Sequence, residues 1–220
     1  MIKFKNITLW PFRAMSFEIK EGRLYKVLAK SDFEKNLFIK LVLGIIKPED
    51  GQIFLFGKDL WTVEKDEFVR LFKRVGTIIG NGGLISNLRV GENIILPTWY
   101  HGTLKPQEAL NRVSLILAKL GFKDSEVSEY LARTPGSLPA HEKRVVSLVR
   151  AMLTEPELII FDPLIEGLDP EIMKKALHLI EEFHTQERGR TSVFISSEEQ
   201  SLEDIRADET IRLAGGGLSE

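Results

Sequence analysis

Apolar and polar residues alternate with a period of two along Ile2–Leu9 and again along Ala14–Lys20, with Trp10-Pro11-Phe12 between them. That period is the mark of half-buried strands, so the chain opens as an antiparallel pair. Glu21-Gly22 is a turn, and Arg23–Ala29 is a third, more apolar strand. The period then lengthens. Lys35–Leu43 reads as a helix closed by Gly44, Pro48-Glu49-Asp50-Gly51 as a turn, and Gln52–Phe56 and Val75–Ile79 as strands. From Pro106 to Leu153 helical spacing dominates, in segments Glu108–Leu120, Asp124–Leu131 and Ala140–Leu153. The strand Leu158–Phe161, a long helix near Glu171–Phe183, and the strands Ser192–Ile195 and Thr210–Leu213 complete the pattern. Strands separated by helices predict a mainly parallel sheet with helices on both faces. No internal repeat or linker divides the chain.

Composition narrows the class of function. The 220 residues carry 30 Lys and Arg against 32 Asp and Glu, a net charge of −2. Nucleic-acid binding needs a concentrated basic surface, so nucleic acid is not an expected partner. There is no cysteine, which excludes disulfides and thiolate metal sites, and His101, His141, His178 and His184 show no ligand spacing. No metal is expected. No segment has the length of a bilayer-spanning helix, and no signal peptide is expected at the N-terminus. The expected location is cytoplasmic.

The chemistry should lie where the third strand turns into the first helix. A strand, a loop, a lysine and an apolar helix is the layout of a phosphate-binding loop, G-x-x-x-x-G-K-[ST]. Here the run is Leu28-Ala29-Lys30-Ser31-Asp32-Phe33-Glu34-Lys35-Asn36-Leu37. Ala29 and Glu34 stand at the glycine positions and Asn36 at the magnesium-binding hydroxyl; Lys35 alone is kept. Asp32 and Glu34 put carboxylates where a polyphosphate would lie, and like charges repel there. Phe33 adds bulk. Lys30 and Lys35 can pair with these acids and fill the hollow from within. Taken alone, the segment also reads as an ordinary strand–turn–helix with no phosphate history.

Further residues decide between the two. Leu158-Ile159-Ile160-Phe161-Asp162, followed by Gly167-Leu168-Asp169-Pro170, resembles the Walker B strand and D-loop of ABC transporter ATPases. Arg144-Val145, Arg150-Ala151 and Pro156-Glu157 resemble the helix leading out of that family's signature motif. Leu43-Gly44, Pro48 and Gly51-Gln52-Ile53 resemble the segment after its phosphate-loop helix. Asn81–Leu84 and Val90–Ile94 resemble the region after the Q-loop in lipid-trafficking subunits of the Mla type.

The resemblance covers nearly the whole chain. It implies an ABC-type P-loop NTPase fold as one domain over 1–220, with an antiparallel N-terminal β subdomain and a helical subdomain inserted near 90–150. It also marks what is missing. The catalytic glutamate corresponds to Pro163, the Q-loop glutamine to Gly80 and the switch histidine to Ser197. The signature corresponds to Leu138-Pro139-Ala140-His141-Glu142, with the spacing to Arg144 one residue short. In the family this motif faces the partner subunit's nucleotide; Pro139 removes a donor there and Glu142 adds charge. The loop bearing the adenine-stacking aromatic is shortened, and Trp10 and Phe12 are expected in the core rather than in that role.

The resemblance thus implies a non-catalytic subunit, lipid-related in its transporter, with no cofactor bound. Its partners would be a second ABC ATPase subunit and a membrane permease, docked at Gly80–Leu88 and near Trp99–Tyr100, at the inner face of the membrane. Two alternatives stand beside it: an ATPase of weak turnover that still uses ATP and Mg through Lys35, Asp162 and Asp169, and a soluble regulator that reuses the fold.

Overall fold

The computed structural model describes residues 1–80, 83–162, 168–187 and 189–213. In chain order the elements are β1 (Ile2–Leu9), β2 (Phe12–Ile19), β3 (Leu24–Leu28), α1 (Asp32–Val42), β4 (Asp50–Leu55), β5 (Lys58–Asp59), α2 (Lys65–Lys73) and β6 (Val75–Ile78). There follow α3 (Val90–His101), α4 (Pro106–Lys119), α5 (Asp124–Ala132), α6 (Ala140–Leu153), β7 (Leu158–Phe161), α7 (Pro170–Gln186), β8 (Thr191–Ser196) and β9 (Glu209–Arg212). They fall into two compact units, Met1–Val75 with Arg188–Glu220, and Gly76–Glu187.

The first unit holds an antiparallel sheet in the order β2-β1-β4-β5. Its register pairs Ile2 with Ile19 and Phe4 with Phe17 on one side of β1, and Ile2 with Leu55 and Phe4 with Ile53 on the other. Period-two alternation therefore puts Ile2, Phe4, Ile53 and Leu55, all buried, on a single face. Phe38 of α1 closes on that face, 5.4 Å from the Phe4 ring and 6.0 Å from Phe17 between centroids. Gly51 makes the β1–β4 pairing possible: its φ is +97°, and a Cβ there would stand 2.5 Å from the Lys5 and Asn6 carbonyl oxygens.

The same unit carries three parallel strands with β3 in the middle. Leu24 to Leu28 run beside Ser192 to Ser196 of β8, and Tyr25 to Leu28 beside Glu209 to Arg212 of β9. Every residue of β8 is buried, as expected of a strand covered on both faces.

In the second unit β6 lies next to β7, whose four residues are all buried. Helices α3 to α6 occupy Val90–Leu153 and pack on one another, α3 against α4, α5 and α6. α3 ends at Gly102, in the left-handed conformation at φ 63°, and α4 begins with Pro106 in its first turn. No described helix is long and apolar enough to cross a membrane.

The elements depart from the sequence expectation at three places. α1 starts at Asp32 rather than Lys35. α2 is a helix that the periodicity did not announce, while α3 falls at the start of the helical subdomain expected near 90–150. Trp10, expected in the core, is 70% exposed, whereas its neighbour Phe12 is fully buried. Leu9 pairs with Phe12 across the hairpin, so Trp10 and Pro11 are the two turn residues and Trp10 is carried out at the tip.

Candidate nucleotide corner

The corner between β3 and α1 spans only Ala29, Lys30 and Ser31. Ala29 is buried and its N–H donates to the Ser196 carbonyl of β8 at 2.9 Å. Ser31 is the N-cap of α1, with extended backbone angles of −158° and 162°. Its hydroxyl accepts the Glu34 N–H at 3.3 Å, and its carbonyl accepts the Lys35 N–H at 3.0 Å. Glu34 turns back, and its carboxylate accepts the Lys30 N–H at 3.0 Å.

This is a reciprocal helix cap of the S-x-x-E kind, with the return bond made one residue further out. A phosphate-binding loop works because amides at a helix start remain open to an anion. Here the amides of Lys30 and Glu34 bond to the chain's own side chains. Glu34 is 7% exposed, so a buried carboxylate sits at this helix start.

Lys35 is similarly engaged. Its ammonium lies 2.9 Å from Asp32 Oδ1, and the Ser197 hydroxyl donates to the same oxygen at 2.7 Å. The hydrogen bond from Lys35, then that from Ser197, hold the Asp32 carboxyl below the usual carboxylate range. Asp32 is therefore ionised at neutral pH, and this contact fades only as the pH falls through that lowered value. The residue at the switch-histidine position thus fastens the corner. Asn36 is exposed and has no hydroxyl, and Leu37 packs inward.

The residues do not fit ATP with magnesium. The amide seat carries Glu34, the lysine carries Asp32, and the hydroxyl ligand is absent. A direct consequence concerns the cap. Ser31→Ala should lower stability by about 1 kcal/mol, the usual worth of an N-cap side chain, read as a lower midpoint in chemical denaturation. An unchanged midpoint would mean that the cap does not hold the corner.

The other sequence-predicted residues lie in the second unit. Asp162 follows β7, is 3% exposed, and donates its N–H to the Ile78 carbonyl at 2.8 Å. Pro163, at the catalytic-glutamate position, and Gly167 lie outside the described residues. Asp169 caps α7, its carboxylate accepting the Glu171 N–H at 2.9 Å. Gly80 has φ +49° and open space where a Cβ would point.

Leu138 of the signature position is buried, Pro139 is the N-cap of α6 without a side-chain bond, and Ala140, His141 and Glu142 form the first turn. The Glu142 carboxylate takes a hydrogen bond from Arg133 at 2.9 Å, and Arg133 also donates to the Ser137 carbonyl at 2.9 Å. Both Glu34 and Glu142 therefore place a carboxylate in the first turn of a helix, where the backbone would otherwise favour an outside anion.

Two polar side chains that entered the sequence reading only as part of the resemblance, Asn93 and Arg150, shape the segment 83–89. Asn93 is 1% exposed; its Nδ2 donates to the carbonyls of Ile85, Leu88 and Arg89 at 3.0–3.1 Å, and its Oδ1 accepts the Ile85 N–H at 2.7 Å. Arg150 donates to the Gly83 carbonyl at 3.0 Å and to the Ser147 hydroxyl at 3.3 Å, and burial lowers its pKa. The signal was an asparagine directly before the apolar run Ile94–Leu96, where a buried amide needs several partners.

A strand, a tight corner with a lysine, an apolar helix and a neighbouring parallel strand define the P-loop NTPase class of fold. The ABC transporter sequence model matches residues 12–164, and the chain belongs to that family. The methionine import ATP-binding protein MetN 1 of Acinetobacter baylyi is 30% identical over 206 residues, covering 94% of this chain and 56% of that protein. MetN of Brucella abortus is 28% identical, with 94% and 54% covered. The chain thus spans about half the length of the curated relatives it matches.

Among solved structures, the dimeric ATP-binding cassette MJ0796 bound to ADP and Pi superposes with a TM-score of 0.85 at 20% identity, over 100% of this chain and 97% of that one. CbiO1 of Clostridium perfringens, part of the transporter complex cbiONQ, gives 0.77 at 18% identity, over 100% and 86%. These support the expected fold. They do not support the resemblance to lipid-trafficking subunits drawn from Asn81–Ile94, since the relatives named here are methionine importers; Asn81 and Gly82 also lie outside the described residues.

Proposed function

We propose that this chain is a non-catalytic cassette that completes an ABC dimer and docks on a membrane permease without binding or hydrolysing ATP. One observation carries the reading: the Lys30 N–H donates to Glu34 and the Glu34 N–H to Ser31, so this helix start is capped by its own side chains. The pairing of Lys35 with Asp32 and the replacements at Gly80, Pro163 and Ser197 point the same way. The partner cassette would face the β3–α1 corner. The permease would meet the segment shaped by Asn93 and Arg150, with the exposed Trp99 and Tyr100 of α3. Transport work then falls to other subunits, and the permease selects the cargo.

A second reading keeps the chain an ATPase of low turnover. Its support is the retention of Lys35, Asp162 and Asp169 and the likeness to the MetN proteins, which are named as ATP-binding importers. Phosphate release from Mg–ATP by the purified chain separates the two. The non-catalytic reading expects a rate equal to that of the Lys35→Ala variant. Turnover that Lys35→Ala abolishes would establish the second reading.

A further inference from the structure

One residue between α5 and α6 reaches two other helices of its unit. Arg133 is the C-cap of α5, with extended backbone angles of −64° and 159°. Its carbonyl accepts the Val90 N–H at 2.8 Å. Val90 opens α3, so this bond serves a donor that no carbonyl of its own helix can reach. The approach is close, since a Cβ on Gly91 would stand 3.4 Å from the Leu131 carbonyl oxygen. The Arg133 side chain runs to α6 instead. One arm of its guanidinium donates to the Glu142 carboxylate and the other to the Ser137 carbonyl, both at 2.9 Å. The guanidinium carbon is also 5.9 Å from the Tyr130 ring centroid, within reach of a cation–π contact.

We infer that Arg133 is a positioning residue that ties the start of α3 to the start of α6, so that a contact made at 83–89 is passed to 140–142. The segment 83–89 runs directly into Val90. Asn93 and Arg150 already fasten it at Ile85, Leu88 and Gly83. A displacement of the segment therefore arrives at the Val90 amide. The Arg133 carbonyl follows it, and the planar fork carries the shift to Ser137 and Glu142. A lysine would do this poorly, because an ammonium on a flexible stem fixes no plane. Helices α3 and α6 also pack on each other; what Arg133 adds is a link between their first turns. The inference rests on the non-catalytic reading only for what sits at each end, the permease at 83–89 and another cassette at α6. In a chain that neither binds nor splits nucleotide, the link leaves permease contact as the signal that reaches the second cassette. Linkage requires the converse, with the second cassette changing permease affinity by the same factor.

Hydrogen exchange at the Val90 amide of the full chain, without nucleotide, tests this. Glu142 makes no hydrogen bond to Val90, so Glu142→Gln reaches that amide only through other residues. With the Ile160 amide of β7 as the reference for global stability, Glu142→Gln should speed exchange at Val90 by about threefold or more. In Arg133→Met, which keeps the carbonyl but loses the fork, adding Glu142→Gln should change nothing further at Val90. Arg133→Lys restores a cation for Glu142 but not the fork, and should recover part of the Val90 protection. If the Met variant does not fold, the same comparison is made in Arg133→Lys, where Glu142→Gln should act on Val90 less than it does beside arginine. A Val90 amide indifferent to Glu142→Gln overturns the inference, as does an undiminished effect with Met or Lys at 133. Phosphate release from Mg–ATP reads the non-catalytic reading separately. Turnover with the Val90 response intact overturns that reading and leaves the Arg133 link standing; no turnover with an indifferent Val90 does the reverse.

Discussion

Replacing Asp32-Phe33-Glu34 by Gly-Ser-Gly and Asn36 by Ser is expected to give a chain that binds Mg–ATP, whereas the wild type is expected to show no binding at millimolar nucleotide. The change acts on three things at once. It removes the carboxylate that accepts the Lys30 N–H, removes the partner that lies 2.9 Å from the Lys35 ammonium, and restores a hydroxyl for magnesium. Two glycines also loosen the first turn of α1, so its amides can face an anion. Each charge-assisted hydrogen bond regained is worth about 1.5–3 kcal/mol, a factor of roughly 10 to 150 in affinity. Hydrolysis should stay absent, because Pro163 offers no group to orient water and Ser197 and Gly80 bring no imidazole or amide. Titration of a fluorescent ATP analogue reads the affinity, and phosphate release reads the chemistry. If the variant ignores nucleotide, the obstacle lies elsewhere than in these acids.

The largest expected loss of stability comes from Asn93→Ala. Three carbonyls accept hydrogen bonds from this single buried amide, and the Ile85 N–H donates to its oxygen. Truncation removes this partner from the Ile85 N–H and from the Ile85 and Leu88 carbonyls, while the Arg89 carbonyl keeps the Asn93 N–H, at about 1–3 kcal/mol for each group left unsatisfied. A total of about 3–5 kcal/mol corresponds to a fall of roughly 6–20 °C in melting temperature for a chain of this size. Exchange at the amides of Ile85 and Leu88 should accelerate more than the global change explains, because these residues lose their anchor directly. A melting temperature within a degree of the wild type would show that solvent already serves the segment. Arg150 would still hold Gly83, so the effect should concentrate between Ile85 and Arg89.

Sequence pattern made the order of strands and most helices legible because burial follows periodicity. α6 runs from Ala140 to Leu153, as the apolar spacing predicts. The start of α1 was misplaced for an instructive reason. The string Ser31-Asp32-Phe33-Glu34 is a helix-capping signature, S-x-x-E, set inside the frame of a broken phosphate loop. Aligned to the loop, the helix begins at Lys35; by its own chemistry it begins at Asp32.

The expectation that acids and lysines fill the hollow from within holds for Lys35 with Asp32. Glu34, however, is met by the main chain of Lys30 rather than by a side chain. Trp10 is expected in the core, yet its place in the two-residue turn between Leu9 and Phe12 carries it into solvent. α2 escaped notice because charges fill most of its nine residues. What anchors it is the pair Phe68 and Phe72, 4.5 Å apart between ring centroids, with a Gly44 Cβ position only 3.0 Å from Phe68. Phe68, Leu71 and Phe72 stand at i, i+3 and i+4, so the helical spacing is present in the sequence and only its brevity among charges hides it.

The central claim is that carboxylates of this chain hold the groups a triphosphate would need. Isothermal titration of the purified wild type with Mg–ATP tests it most directly, with the Gly-Ser-Gly and Ser variant titrated alongside. The account predicts no heat of binding for the wild type up to millimolar nucleotide and a saturable isotherm for the variant. A saturable isotherm for the wild type, lost on Lys35→Ala, would contradict it.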